Sequence, residues 1–462
     1  MLLLIKNFTY GELMKRYRFQ IFLILFSSVL FLTYLAWAKT IPFDGAPDEY
    51  LRYKIPMFIY KHGHLPTGYD TETLFDRGGN WSYGFYSQFL APLFSALFMK
   101  VTSLFSQSDQ ALLLAARFTS VISGVLTANV IALSVWRITK SKMICLFTIL
   151  FVGLWPQIIF LSSYVNNDII GLLGVALVTD VVVKTSIART WTYFDTIYLA
   201  LGFIVCLLGY INTYGFVLFA GIYFLFAINY SNKLKHNSFV MKINHCVLLS
   251  IILIVVVAPF FVRNYLLYGD FFGSSAFEAA HQKWIEQGGE SMLNGAVSYG
   301  RNFIEFFTWR NYDFIVWTWQ SFIGRFSYMS LVLSNFLYNV YWYSLIIGVC
   351  FSLFYKFKTK LSIWEKIAYL SIAGSMLITI FLHVYRSYFT DYQPQGRYII
   401  GLFVPLCLMM MFGYWKLLKM YPKIQRLVFL ISALLLIFSS IHIFKNYIYD
   451  FYIIRGLGVI YH

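Results

Sequence analysis

Long apolar runs separated by short polar stretches make up most of this chain. A helix needs about 17–25 consecutive apolar residues to cross a bilayer. Eleven segments read as such spans: 19–38, 115–136, 143–161, 169–183, 196–208, 215–228, 246–262, 331–354, 367–384, 398–415 and 427–444. The pattern predicts an all-α polytopic membrane protein, with about 11 transmembrane helices in a single transmembrane domain over 1–462. The stretch Gly209-Tyr210-Ile211-Asn212 is either a loop between two spans or a re-entrant break. A further apolar run, 85–105, carries Gln88, Pro92 and Lys100. Read as a span it would invert every later loop, so it is assigned to one or two interfacial helices.

This choice puts the N-terminus inside, the C-terminus outside, and two large pieces on the outer side. They are the first outer loop, 39–114, with its juxtamembrane helices, and a second large outer loop, 263–330. Charge tests the arrangement. The inner segments hold 20 of the 36 Lys and Arg, among them Lys6, Lys233, Lys235 and Lys358. Only Glu12, Asp180, Asp195 and Glu365 are acids on that side, so the whole net charge of +16 falls there. That is the positive-inside bias, and it removes the case for nucleic acid that +16 alone would make. Charged residues are only 12% of the chain, against about 25% in soluble proteins. The five cysteines lie in apolar runs at unrelated spacings, with no disulfide or zinc pattern. The first apolar run exceeds a signal core of about 7–15 residues, so an uncleaved span is expected.

Candidate chemistry gathers on the outer side. Asp48 and Glu49 follow the first span, behind Pro47. Two acids in the first turn suit a helix N-terminus. They also suit a general base that takes a proton from an acceptor hydroxyl, and partial burial would raise the carboxyl's pKa. Asn166-Asn167-Asp168 opens a span, either as a cap or as a third carboxyl group on the same face. Arg263, Tyr268, Arg386, Gln395, Arg397 and Tyr398 stand at outer span ends, and Arg52 lies just beyond Glu49. An outer arginine either anchors the span or grips a lipid phosphate, which guanidinium matches bidentately. No P-loop and no dinucleotide glycine pattern is present. His62 and His64 are too isolated to be read as ligands, and no residue is assigned to a metal. An activated group must then arrive on a lipid, because nucleotide-activated substrates are lacking outside the membrane.

In order along the chain, these residues resemble the GT-C superfamily of polytopic glycosyltransferases. Asp48-Glu49 looks like the acidic motif of the family's first outer loop, and 86–105 like the juxtamembrane helices after it. Arg117 opens the second span, Asn166-Asn167-Asp168 resembles the second-loop motif, and 263–270 resembles the span-to-loop motif before the larger loop. Residues 321–326 and Gln395-Gly396-Arg397-Tyr398 resemble a bacterial branch of such proteins. The family's paired prolines are reduced here to Ala91-Pro92. The resemblance implies a GT-C-like fold and an inverting transfer from a polyprenyl-phosphate sugar donor to a glycan acceptor. It implies Asp48 as base with Glu49 assisting. Arg52, Asn167, Asp168, Arg263, Tyr268, Arg386, Gln395, Arg397 and Tyr398 would bind substrate. A divalent cation is left open as cofactor. Abundant Ile, Lys, Phe, Tyr and Asn suggest an AT-rich bacterial genome, hence a bacterial plasma membrane and a cell-envelope acceptor. Two other readings stand beside this one: a transporter or flippase, and a polymerase or ligase of lipid-linked glycans. A transporter should carry ionisable residues deep within its spans; only Asp180 and Asp195 come near that, both toward inner ends.

Overall fold

The computed structural model describes residues 10–75, 81–231, 239–291, 293–357 and 360–457. Lys6, Lys233, Lys235 and Lys358, counted above on the basic side, lie outside the described residues. The chain opens with α1 (Tyr10–Thr40), then α2 (Glu49–His62) and α3 (Leu90–Ser103). Next come α4 (Asp109–Thr139), α5 (Lys142–Gly153), α6 (Pro156–Leu161), α7 (Asp168–Ala188), α8 (Tyr193–Gly209) and α9 (Tyr214–Tyr230). The second half holds α10 (Phe239–Val256), α11 (Ala258–Tyr268), α12 (Ser274–Glu286) and α13 (Phe303–Ile323). It closes with α14 (Asn335–Phe357), α15 (Ile363–Phe389), α16 (Phe403–Lys419) and α17 (Pro422–Ile443), the last running into a π-helix, Phe444–Ile454. A two-residue antiparallel pairing of Arg325–Phe326 with Leu331–Val332 is the one sheet among the described residues.

Every run expected to span is mostly helical, though 331–354 opens on the strand Leu331–Val332 before α14 begins. Among the described residues, eight helices are long and apolar enough to cross a membrane, or nine if the bent pair α10–α11 counts as one span. The runs 143–161 and 196–208 form shorter helices, so eleven crossings is not a count that helix length alone supports. Two breaks have a cause in the sequence. Pro156 begins α6 just after Trp155 ends α5's turn, and Pro259 sits in the first turn of α11 after a 50° bend. Proline cannot donate to the preceding turn but fits a helix's first positions. The stretch after Gly209 is a short 3-10 turn, Ile211–Thr213, between α8 and α9.

α7 is the axis. It is apolar all round and buried along almost its whole length, as a helix enclosed by others must be. It packs on α4, α8, α9, α15 and α16. A Cβ on Gly174 would stand 2.7 Å from the Cys206 sulfur, so α7 and α8 approach at a position where only glycine fits. Small residues of this kind let membrane helices come close.

One end of the bundle is basic. There Asp180 accepts from Arg137 Nε (2.9 Å), Ser134 and Tyr198. Asp195 pairs with Lys184 and closes a capping box with Thr192. Both acids that a transport path could have used are thus tied into helix ends. At the other end, the C-termini of α1, α8 and α15 meet the N-termini of α4, α7 and the segment leading into α16. α2 packs on α3, and α3 packs on α4 and α8.

Candidate active site

The site begins with a clamp. Arg117, in the second turn-and-a-half of α4, is 2% exposed. Its Nε donates to Glu49 Oε1 at 2.8 Å and Nη2 donates to Oε2. The remaining donors go to the carbonyls of Ala38, Ile41 (2.7 Å) and Pro42 (3.0 Å). Those carbonyls are left over where α1 ends, and a guanidinium with its five donors satisfies them together. Glu49 Oε1 also accepts from the Val165 N–H at 2.9 Å. Glu49 therefore ties α1, α4 and the turn before α7 together, fully buried.

Asp48 goes the other way. Its φ of 64° is left-handed, and this turn separates two adjacent side chains. The loop is held by further contacts: Tyr328 donates to Asp44, and Tyr452 from the π-helix donates to the Gly45 carbonyl at 2.6 Å. Asp48 Oδ2 pairs with Arg397 Nη2 at 2.8 Å, while about a third of its side chain (35%) stays accessible. Arg397 arrives from the 3-10 segment Gly396–Leu402. Gly396 allows this: a Cβ there would fall 2.4 Å from the Phe322 nitrogen and the Thr318 carbonyl oxygen, and its N–H donates to Ser321 Oγ at 2.6 Å.

Asp48 opens onto a cleft of about 440 Å³. Arg52, one turn along α2, lines it with its guanidinium 4.3 Å from the centre of the Tyr83 ring. Arg386, in the last turn of α15, lines the facing wall. Tyr83, Tyr86, Tyr210 and Tyr398 complete the polar part. Burial pushes the Asp48 carboxyl up, but Arg397, Arg52 and Arg386 together outweigh it and hold the group below the usual carboxylate range. The raised pKa expected from burial alone is thus corrected: three cations from distant parts of the chain reverse its sign.

Behind the cleft floor lies a second polar group. Asp168 is fully buried with neither carboxyl oxygen hydrogen-bonded, as are Tyr164 Oη, Arg397 Nε and Nη1, and Arg52 Nε. Asp168 acts electrostatically on both Arg52 and Arg397. Asn167 lines the cleft and donates to the Gly209 carbonyl at 2.8 Å and the Gln88 carbonyl at 3.3 Å.

Of the residues singled out in the sequence, Asp48, Arg52, Asn167, Arg386 and Tyr398 line one cleft. Arg397 joins them through Asp48, and Asp168 stands behind. Four lie elsewhere. Glu49 is in the clamp. Arg263 donates to the Pro66 carbonyl at 2.5 Å and lies over the Phe89 ring. The Tyr268 hydroxyl accepts from the Gly68 N–H at 2.8 Å, so these two brace the first loop. Gln395 donates to Gln393 at 2.6 Å, and it is Gln393 that lines the cleft. Tyr83, Tyr86 and Tyr210 were missed because nothing marks them out among 36 tyrosines. His383 was also missed. It lines the cleft with its ring between Phe314 (5.2 Å) and Tyr398 (5.7 Å), and its spacing of three from Arg386 on one helix could have found it.

A divalent cation needs several converging oxygen or nitrogen ligands. Among the described residues no three His, Cys, Asp or Glu side chains gather in this way. Asp48 is paired to a guanidinium, guanidiniums are the charged neighbours of Asp168, and His62 pairs with exposed Glu72. The residues present do not fit a bound metal, and no step below runs through one.

No family model matches the chain, and no curated protein matches it by sequence. Solved structures do match in fold. The oligosaccharyltransferase of Archaeoglobus fulgidus, in complex with Zn and sulfate, is 13% identical with a TM-score of 0.52, over 90% of this chain and 52% of that one. Its apo form gives 13% and 0.51, over 92% and 55%. ArnT from Cupriavidus metallidurans bound to undecaprenyl phosphate is 13% identical with a TM-score of 0.47, over 85% and 59%. This chain thus spans about half the length of the oligosaccharyltransferase. The all-helical, GT-C-like membrane fold expected from the resemblance is the fold the chain has.

Proposed function

We propose that this chain is an inverting glycosyltransferase that moves a sugar from a polyprenyl-phosphate donor to an acceptor hydroxyl, with Asp48 as general base. One observation carries the reading. Three guanidiniums act on one part-exposed carboxylate, Asp48, in a cleft at the end of a membrane bundle that four tyrosines and Glu278 also line. The oligosaccharyltransferase fold supports it. Arg52 and Arg386 line the cleft with no carboxyl at ion-pair distance among the described residues, so they take the donor phosphate. Arg397 positions Asp48. Asn167, Tyr398 and the other tyrosines border the sugar, with Asp168 supporting the two arginines from behind. Asp48 removes the acceptor O–H proton while that oxygen bonds to the anomeric carbon from the face opposite the phosphate. The bond from carbon to the phosphate oxygen breaks, and its electron pair stays on the phosphate. Guanidiniums in a dry site stabilise that charge.

The cleft belongs to the bundle end opposite the basic loops. We assign it to the outer face of a bacterial plasma membrane, with 39–114 and 263–330 as outer loops and a cell-envelope glycan as acceptor. The test is to compare wall polymers and lipid-linked sugars of wild-type and deletion strains by mass spectrometry. Loss of one sugar, with its polyprenyl-phosphate form accumulating, is the expected result. A change in polymer length or amount with composition intact would instead favour transport or polymerisation.

A pH prediction follows from the arginines around Asp48. A carboxyl whose pKa is lowered stays ionised, and so competent as a base, until pH falls below the usual carboxylate range. In proteoliposomes kcat/KM for the donor, which reports the free enzyme, should therefore show no acid limb between pH 5 and 7. A limb near pH 6 would mean that burial, not the arginines, controls the group.

A further inference from the structure

We infer that Asp48 and the donor phosphate draw on one set of guanidiniums, so that the bound donor itself converts Asp48 from a counter-ion into a base. This rests on the transferase reading above and concerns how its site is switched on.

The geometry of the cleft is the starting point. Facing Asp48 are Arg52 from α2, Arg386 from α15, Arg397 before α16, and the hydroxyls of Tyr83 and Tyr398; Asp168 from α7 and Tyr164 lie behind. Arg397 makes the direct ion pair at 2.8 Å. Arg52 and Arg386 reach Asp48 electrostatically across the cleft they line. Without substrate, three cations therefore attend Asp48, while exposed Glu278 also lines the cleft and Asp391 acts on Arg386 from beside it. A phosphate seated on Arg52 and Arg386 is a second anion competing for the same charges. Linkage is reciprocal: as the phosphate occupies these cations it loosens their hold on Asp48, and Asp48 in turn weakens the phosphate.

Charge conservation gives the arrangement its use in the reaction. A polyprenyl-phosphate sugar is a diester with one negative charge, and Asp48 carries another. In the transfer Asp48 gains the acceptor's proton and becomes neutral. The phosphate gains the electron pair of the broken bond and becomes a dianion. Two negative charges face the guanidiniums before the step and two after it. The charge only moves from carboxylate to phosphate, across cations that act electrostatically on both. Such a site needs little reorganisation as the charge shifts, which is the condition for electrostatic preorganisation.

Binding tests this without knowledge of the sugar. The purified chain in nanodiscs is titrated with undecaprenyl phosphate, using undecaprenol as the uncharged control. Asp48→Asn removes the competing anion, and Asn tolerates the left-handed conformation at this position. The expected result is about tenfold tighter binding or more, the order produced by removing a unit charge at roughly 8 Å with an effective dielectric of about 20. Arg386→Gln should weaken binding about tenfold. If Asp48→Asn melts below wild type, Asp48→Gly, which adopts positive φ freely, gives the same comparison. If wild type binds the phosphate lipid but the Asp48 variants bind it equally or less tightly, the shared set is wrong and the transferase reading stands. Wild-type affinity in Arg386→Gln overturns it likewise. If wild type does not prefer undecaprenyl phosphate to undecaprenol, the transferase reading itself fails.

Discussion

Asp48→Asn is expected to reduce glycosyl transfer by about 10²–10⁴-fold, the contribution typical of a general base. Asn keeps the shape of the side chain and suits its backbone, so the loop should stay in place. What is lost is an oxygen able to accept the acceptor's proton. The variant should insert, fold and melt like wild type, with the donor lipid accumulating in cells. The sugar missing from the wall polymers should match the one missing in the deletion strain. Glu49→Gln should behave differently, because Glu49 lies outside the cleft. Full transfer in the Asp48 variant, or a loss of transfer explained wholly by lower protein abundance, would remove Asp48 from the chemistry.

The second large effect concerns stability. Replacing Glu49 or Arg117 alone, as Glu49→Ala or Arg117→Met, should destabilise the fold by about 3–5 kcal/mol, because each leaves the other buried and unpaired. A buried ion pair that does nothing else can often be replaced by two apolar residues at little cost. Here the outcome should differ. Arg117 also satisfies the carbonyls of Ala38, Ile41 and Pro42, and each buried carbonyl left without a donor costs about 1–3 kcal/mol. The double variant Glu49→Met with Arg117→Met should therefore stay well below wild type in a thermal unfolding cycle in detergent. A double variant as stable as wild type would show that the carbonyl contacts contribute nothing.

Apolar periodicity made the helices legible, since a span must satisfy its backbone internally. It failed where helices are not apolar. α13, which is two helical pieces on either side of non-helical backbone at Trp309–Tyr312, carries Trp, Tyr, Arg and Asp mixed along it, and no hydrophobic run announces it. Prolines at 156 and 259 were visible, yet each break lies inside a run that composition reads as continuous. The site was partly legible for a similar reason. Charges at span ends stand out against an apolar background, and that drew attention to Asp48, Arg52, Arg386 and Arg397. Composition cannot say which of two adjacent acids faces a cleft. A left-handed φ at Asp48 decides it, sending Glu49 to Arg117 and Asp48 to Arg397. Nor can a sequence show that three arginines from three elements meet one carboxyl, and so the direction of its pKa could not be read.

The loop carrying Asp48 is fastened at two moments in the life of the polypeptide. Arg117 can clasp it as soon as α4 enters the membrane beside α1. The Tyr452 hydroxyl is made 407 residues after the Gly45 carbonyl it bonds. Tyr447 from the same π-helix accepts from the Ser334 N–H at 3.2 Å, and Arg397 itself comes late in the order of synthesis. A nascent chain halted after α15 would hold Asp48, Arg52 and Arg386 but neither the ion pair nor the final fastening. On the transferase reading, such a chain would hold the base without the arginine that positions it, and would not act on the lipid pool.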